Sequence, residues 1–300
     1  MTENISRIKC YHEENVDCEV CFFYEGENQE FSGDRLKVRY YWGENKTNCK
    51  EVFAKAIKEA ANLERKKICF DPAFAIKKFG KEGIFDAVEG CILGAFETEQ
   101  FGKKQEKEKP ELYFTCEENE KELEAWIMEA GSLMEGVCFA RHMVNRPGNK
   151  LTPEIFAEAL KKEAEGLSID VEILDEKRIK DAGMEAFLAV GESSGRPPRL
   201  IIMRYRGNET SKENYGFIGK GVTCDTGGYC LKPASSMLGI KGDMAGAAAA
   251  AGALYAMAKN EIKANVTVVI PACENRISRE SFLPGDVIGS MSGKMIEIGN

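Results

Sequence analysis

Two hydrophobic periods alternate along this chain. Apolar residues recur at helical spacing over residues 49–63 and 83–96. They do so again over residues 118–144, where Leu123, Trp126, Ile127, Ala130, Leu133, Met134 and Val137 fall on one face. Short runs with the alternation or β-branched content of strands occupy residues 34–41, 67–70, 169–174, 200–203, 215–219 and 266–270. Thr152-Pro153-Glu154 reads as a helix start, with an N-cap hydroxyl, proline at the first helical position and an acid in the first turn. It predicts a helix to about residue 165, and Asp175 opens a shorter capped helix to residue 182. Alanine dominates residues 243–259 and predicts a helix between the last two strands. Strand, helix, strand in this order predicts an α/β fold with helices on the faces of a sheet.

Punctuation divides the pattern. Residues 101–110, with Lys103, Lys104, Lys107 and Lys109 among Glu106 and Glu108, read as a charged surface loop closed by Pro110. Asn145-Arg-Pro-Gly-Asn149 stops the long helix and is the clearest boundary in the chain. The organisation expected is an N-terminal α/β domain over residues 1–117, a linker helix over 118–150 and a second domain over 151–300. Residues 1–150 hold 11 glycines and residues 151–300 hold 18, which directs the search for a site to the second half, where backbones turn tightly or approach closely.

Composition then narrows the chemistry. With 43% apolar and 30% charged residues over 300 positions, the chain reads as globular rather than disordered or coiled-coil. A net charge of −8 offers no phosphate-tracking surface, so nucleic acid is set aside as a partner. The two histidines, His12 and His142, leave no room for a His-rich zinc site, so metal or acid–base chemistry falls to carboxylates and lysines. Eleven cysteines in so long a chain read as free thiols of a reducing compartment. The start lacks a basic and then apolar leader, and no apolar run is long enough to span a bilayer; the expectation is a cytoplasmic protein without membrane association.

Several motifs fail on spacing. Cys10, His12, Cys18 and Cys21 are irregularly spaced for zinc, and Val20, Phe22 and Phe23 beside them read as strand core. His142 has no Cys or Ser motif for a partner and reads as a packed helix residue. Gly219-x-Gly221 has Cys224 where a dinucleotide fingerprint needs glycine, and the segment from Gly289 to Lys294 is one residue short of a P-loop.

The richest stretch begins at Gly219. Lys220 follows a strand that reads as buried, Asp225 falls in a glycine-flanked loop, and Asp243 opens the alanine-rich helix. Brought together, a lysine and two aspartates are ligands for a hard divalent cation, the lysine only when its amine is neutral. Lys232 would stand near them as a cation able to stabilise an oxyanion. The bland alternatives are a solvated lysine, a turn acid and a helix N-cap.

The run Gly219-Lys-Gly-Val-Thr-Cys-Asp-Thr-Gly-Gly-Tyr-Cys-Leu-Lys-Pro233, followed by Asp243-Met-Ala-Gly-Ala-Ala-Ala249, Val269-Ile-Pro-Ala-Cys-Glu-Asn275, Pro284-Gly-Asp-Val287 and Met291-Ser-Gly-Lys294, resembles the leucyl (cytosol) aminopeptidase family. Asn145-Arg-Pro147, Leu151-Thr-Pro153 and Pro197-Pro-Arg-Leu200 extend the likeness, and Val88-Glu-Gly90 with Leu93-Gly94 carries a weaker one into the first half. The resemblance implies a small macro-like N-terminal α/β domain and the front part of an α/β catalytic domain with a central mixed sheet. It implies a two-metal exopeptidase, using Mn²⁺ or Zn²⁺, that removes N-terminal residues, often leucine, from peptides and assembles as a homo-hexamer. Lys220 and Asp243 match ligands of one metal, Asp225 the carboxylate touching both, and Lys232 the catalytic lysine that polarises the scissile carbonyl.

Departures from the pattern are Cys224 for an aromatic, Tyr229-Cys230 for Ile-Ser, Ile240 for a pocket methionine and Ala245 for glycine. The sequence also stops at Asn300, the residue that opens the family's last metal-binding motif, whose arginine holds a bicarbonate. The expectation is therefore an aminopeptidase, with the alternative of a fragment or paralogue that acts only in binding or assembly.

Overall fold

In a computed structural model, residues 8–11, 18–24, 36–42, 49–61, 67–99, 111–115 and 121–299 are described. His12 and the charged loop at 101–110 lie outside the described residues. Contacts divide the chain into two units, Met1–Cys138 and Phe139–Asn300.

The first unit is built on β1 (Ile8–Tyr11), β2 (Cys18–Tyr24), β3 (Leu36–Trp42), β4 (Lys67–Phe70) and β5 (Glu111–Thr115). Their order is β1-β5-β4-β2-β3, and every pairing is parallel. Parallel strands need crossovers, which α1 (Cys49–Ala61) and α2 (Ala73–Gly94) supply. α2 starts earlier than the apolar spacing indicates and breaks at Gly80, whose φ of 60° suits a residue without a Cβ. Phe53, Phe70 and Phe114 form the core, their ring centroids 5.9 to 6.1 Å apart. α3 (Lys121–Asn145) adds Leu123, Ile127, Ala130, Met134 and Cys138 to that core. The stripe is narrower than expected: Leu133 and Val137, on its flank, are exposed, and Trp126 is half-buried.

The second unit holds a mixed sheet. It comprises α4 (Pro153–Glu163), β6 (Ile169–Leu174), α5 (Glu176–Asp181), α6 (Glu185–Gly191), β7 (Arg199–Arg206), β8 (Tyr215–Ile218), β9 (Gly221–Asp225), α7 (Ala234–Met237), α8 (Ala245–Lys259), β10 (Asn265–Asn275), β11 (Val287–Gly289) and β12 (Met295–Glu297). The strand order is β6-β7-β10-β8, with β9 also on β10. β6, β7 and β10 pair antiparallel, whereas β8 and β9 run parallel to β10. Both predicted caps are made: the Thr152 hydroxyl accepts from the Ile155 amide, and the Asp175 carboxylate from the Arg178 amide at 2.9 Å. Val266, Val268, Ile270 and Ala272 alternate into the core from β10. Tyr255 of α8 donates its hydroxyl to the Leu160 carbonyl at 2.8 Å and takes the edge of the Phe139 ring. Two antiparallel strands, β11 and β12, form a separate ribbon.

One expectation about β8 is corrected. Its apolar run read as buried, yet all four residues are exposed, Ile218 at 84%. β8 lies at the end of the sheet order, bonded to β10 alone, and apolar content by itself cannot distinguish such an edge from a covered strand. Among the described residues no helix is long and apolar enough to cross a membrane.

Candidate functional site

The site is assembled along one side of β10. β8 and β9 follow it with a single offset, Val266 pairing with Tyr215 and Ala272 with Gly221, so they are one line broken at Gly219-Lys220. The break has a packing cause. A Cβ on Gly219 would stand 2.4 Å from the Ala247 Cα, so only glycine lets α8 come this close. The Lys220 carbonyl accepts the Ala247 amide of α8 at 3.1 Å. The alanine-rich stretch therefore serves a close helix–strand contact at the foot of Lys220.

The line resumes as β9 and reaches Asp225, which is the last residue of that strand rather than part of a loop. Between Cys273 and Glu274 the register shifts, leaving Thr223 as an extra residue on β9. Such a bulge re-aims the side chains beyond it. Asp225 thereby stands opposite Asn275, the last residue of β10. The chain next turns through Gly227 and Gly228, at φ of 87° and 62°. At both the left-handed backbone favours glycine, and a Cβ on Gly227 would also stand 2.6 Å from the Cys230 carbonyl. The Lys232 amide closes the turn on the Thr226 carbonyl at 2.9 Å.

Two Lys–Asp pairs result. Lys232 donates its Nζ to Asp225 Oδ2, while Asp225 Oδ1 accepts from Asn275 Nδ2 at 2.9 Å and from the Gly227 amide at 3.1 Å. Burial pushes the Asp225 carboxyl up, but the hydrogen bonds from Lys232, Gly227 and Asn275 outweigh it and hold it below the ordinary carboxylate value. The second pair is Lys220 with Asp243, 3.0 Å apart. Asp243 is not the helix N-cap considered from sequence. It follows a 3-10 turn at Ile240–Gly242, Met244 stands between it and α8, and that helix has no side-chain cap. Asp243 Oδ2 is buried without a hydrogen-bond partner among the described residues, since the nearby Lys220 amine lies at ion-pair distance but off hydrogen-bond direction.

The two pairs share a neighbourhood. Burial pushes the Cys273 thiol up to about 12, with the charges of Lys220, Asp225, Asp243 and Glu274 all acting on it. The structure thus joins the four residues singled out in the sequence two by two, Lys220 with Asp243 and Lys232 with Asp225. Among the described residues no group of three His, Cys, Asp or Glu converges to hold a metal, so the donors expected from the sequence are limited to two carboxylates and an amine. Sequence reasoning missed Asn275 and the bulge at Thr223. The available signal was an amide at the end of a strand, Glu274-Asn275, within a motif quoted for its resemblance alone.

Residues 138–300 match the model of the cytosol aminopeptidase family, catalytic domain. The chain is 41% identical over 267 residues to the "Probable cytosol aminopeptidase" of Clostridium perfringens, covering 85% of this chain and 53% of that protein. It is 46% identical over 174 residues to the one of Rhizobium meliloti, covering 58% and 35%. The chain spans about half the length of the curated relatives it matches. Among solved structures, the bottromycin maturation enzyme BotP in complex with Mn superposes with a TM-score of 0.80 at 24% identity, over 94% of this chain and 65% of that one. At that identity the likeness shows a common fold.

Proposed function

Because the chain belongs to the cytosol aminopeptidase family, to whose catalytic domain residues 138–300 correspond, we propose that it is a metal-dependent aminopeptidase that prefers N-terminal leucine. Lys220, Asp225 and Asp243 hold the cations, two Mn²⁺ or Zn²⁺ ions in this proposal, and Lys232 is the catalytic lysine. One observation carries it: Asp243 Oδ2 is a buried carboxylate oxygen without a hydrogen-bond donor among the described residues, in a unit where a second carboxylate, Asp225, is already oriented. That oxygen is compensated by the Lys220 charge 3.0 Å away but receives no directed hydrogen bond, and a cation would supply the direct partner it lacks. Carboxylates and a neutral amine are donors that both metals accept.

When bound, the cations supply Lewis acidity toward the peptide carbonyl and a lowered pKa for water. The chain's own residues do the rest. Lys232, kept beside the ligands by Asp225, points a positive charge where the carbonyl oxygen gains negative charge as water adds to the carbonyl carbon. The C–N bond then breaks, and the leaving amine takes a proton. The division into residues 1–117, 118–150 and 151–300, the cytoplasmic location and assembly as a homo-hexamer belong to the same proposal.

A second reading, a chain that binds peptides or assembles without turnover, is favoured by the small donor set, which lacks a third acidic, thiol or imidazole group among the described residues. Release of p-nitroaniline from leucine p-nitroanilide by the purified chain with Mn²⁺ or Zn²⁺ separates the two. The enzyme reading expects turnover that EDTA abolishes and that Lys232→Met removes without loss of Mn²⁺ binding. Mn²⁺ binding with no turnover would favour the second.

A further inference from the structure

Asp225 owes its orientation to a residue that the catalytic reading does not use. Asn275 ends β10 and, past the bulge, stands opposite Asp225. An ionised carboxylate only accepts hydrogen bonds, so the amide must turn its NH₂ toward Asp225, and Nδ2 donates to Oδ1 at 2.9 Å. With the Gly227 amide on the same oxygen, Oδ1 carries two donors and Oδ2 is left for the amine of Lys232.

Asn275 is itself fixed from two directions. Its carbonyl accepts both the amide and the hydroxyl of Thr226, each at 2.9 Å, binding the strand end to the turn that follows Asp225. On either side of it, Glu274 and Arg276 fork together, Nε to Oε2 at 2.6 Å and Nη2 to Oε1 at 3.3 Å. Glu274 is wholly buried and also accepts the Ser194 hydroxyl at 2.6 Å, while the Arg276 amide donates to Ser193 Oγ at 2.8 Å. The strand end is thus clamped to the loop after α6, and the amide has little freedom to leave Asp225.

We propose that Asn275 is the positioning residue of the cation site, its side-chain amide holding Oδ1 of Asp225 so that Oδ2, which here faces the Lys232 amine, is the oxygen turned toward a divalent cation. This rests on the cation-site reading above. A hydrogen-bond donor behind a ligating carboxylate sets its orientation, and removal of such a group commonly costs about 10–100-fold in metal affinity.

The test is Mn²⁺ binding to the 300-residue chain, read from the electron paramagnetic resonance of free Mn²⁺, alongside thermal unfolding by circular dichroism. Asn275→Ala and the volume-matched Asn275→Leu are each expected to weaken binding about 10–100-fold with a melting temperature close to that of the unmodified chain. Ser194→Ala, which removes one bond of the clamp and keeps the Asn275 amide itself, is expected to lower the melting temperature and to weaken Mn²⁺ binding less than either Asn275 variant. Unmodified affinity in both Asn275 variants, with Asp225→Asn losing binding, overturns the positioning role and leaves the site. Binding by Asp225→Asn equal to that of the unmodified chain, or no binding by the unmodified chain at millimolar Mn²⁺, overturns the cation site and this role with it. Unfolding of both Asn275 variants would mark the residue as structural and overturn the proposal.

Discussion

The two Lys–Asp pairs use the same chemistry in different settings. Asp225 has donors on both oxygens and sits at a strand end with an amide behind it. Asp243 follows a 3-10 turn, is the more exposed of the two side chains at 27% against 16%, and has one buried oxygen with no hydrogen bond among the described residues. One carboxylate is satisfied by directed hydrogen bonds; the other has the ion pair with Lys220 and no hydrogen bond on its buried oxygen. A hydrogen-bonded carboxylate contributes to folding stability, whereas an unsatisfied buried oxygen opposes it. The difference teaches that stability and cation affinity are distributed unequally between residues that look equivalent in sequence.

The sharpest way to break that comparison is to neutralise each acid. Asp225→Asn is expected to cost about 100-fold or more in Mn²⁺ affinity, above the range for groups that only orient a ligand. It should also destabilise the metal-free chain by about 1–3 kcal/mol. Asp243→Asn is expected to weaken Mn²⁺ binding and to cost the metal-free chain less stability than Asp225→Asn, because it gives up an ion pair with the exposed Lys220 side chain rather than a set of hydrogen bonds. Calorimetric titration and urea unfolding measure both, and equal stability losses in the two variants would erase the distinction.

A comparable effect on stability is expected where glycine admits a neighbour. Gly219→Ala should cost about 1–3 kcal/mol, since its Cβ would meet the Ala247 backbone at 2.4 Å. It should also disturb the Lys220–Asp243 pair before the Lys232–Asp225 pair. Gly227→Ala, at φ of 87°, should do the reverse at a similar cost of about 1–3 kcal/mol. Unfolding curves with Mn²⁺ titrations would show which pair each change reaches.

Acid supplies a smaller effect. The Asp225 carboxyl is held below its ordinary value in the folded chain, so its stabilisation is present above the ordinary carboxylate range. It is lost as pH falls through the lowered folded value. Stability measured from neutral pH downward should therefore decline less steeply in Asp225→Asn than in the unmodified chain. The smallest effect concerns thiols. Among the cysteines whose burial is described, Cys230 is the exposed one and should react before the others with a disulfide reagent such as DTNB, whereas Cys273, pushed up to about 12, and buried Cys224 should react only on unfolding.

Much of the second unit was legible because its signals are local. The caps at Thr152 and Asp175 and the strand signals of β6 and β10 depend on neighbours in sequence, and these elements appear where expected. The mixed sheet followed from the resemblance and is present. Harder positions depended on partners far along the chain. Exposure of β8 is decided by what lies beside a strand, which apolar content does not encode. Asp225 read as a loop residue because Gly227 and Gly228 mask the end of β9, and that strand is held by β10 rather than by strong local propensity. The bulge at Thr223 leaves no trace in periodicity, so the partnership of Asp225 with Asn275 was hidden. The two lysines and two aspartates could be named from sequence, but not how they pair or which acid would be satisfied.

The central place of β10 has a consequence for how the protein comes into being. Asn275 lies 50 residues beyond Asp225, so the Asp225 carboxylate cannot receive that hydrogen bond until a long stretch of chain has been synthesised and has folded back. Loop closure of this kind is slow relative to local helix formation. The Asp225–Asn275 bond therefore forms after the local helices, and a metal that binds only the finished arrangement, as proposed above, would pull the folding equilibrium toward it by mass action. A nascent chain released before β10 has docked would hold its ligands but not their geometry.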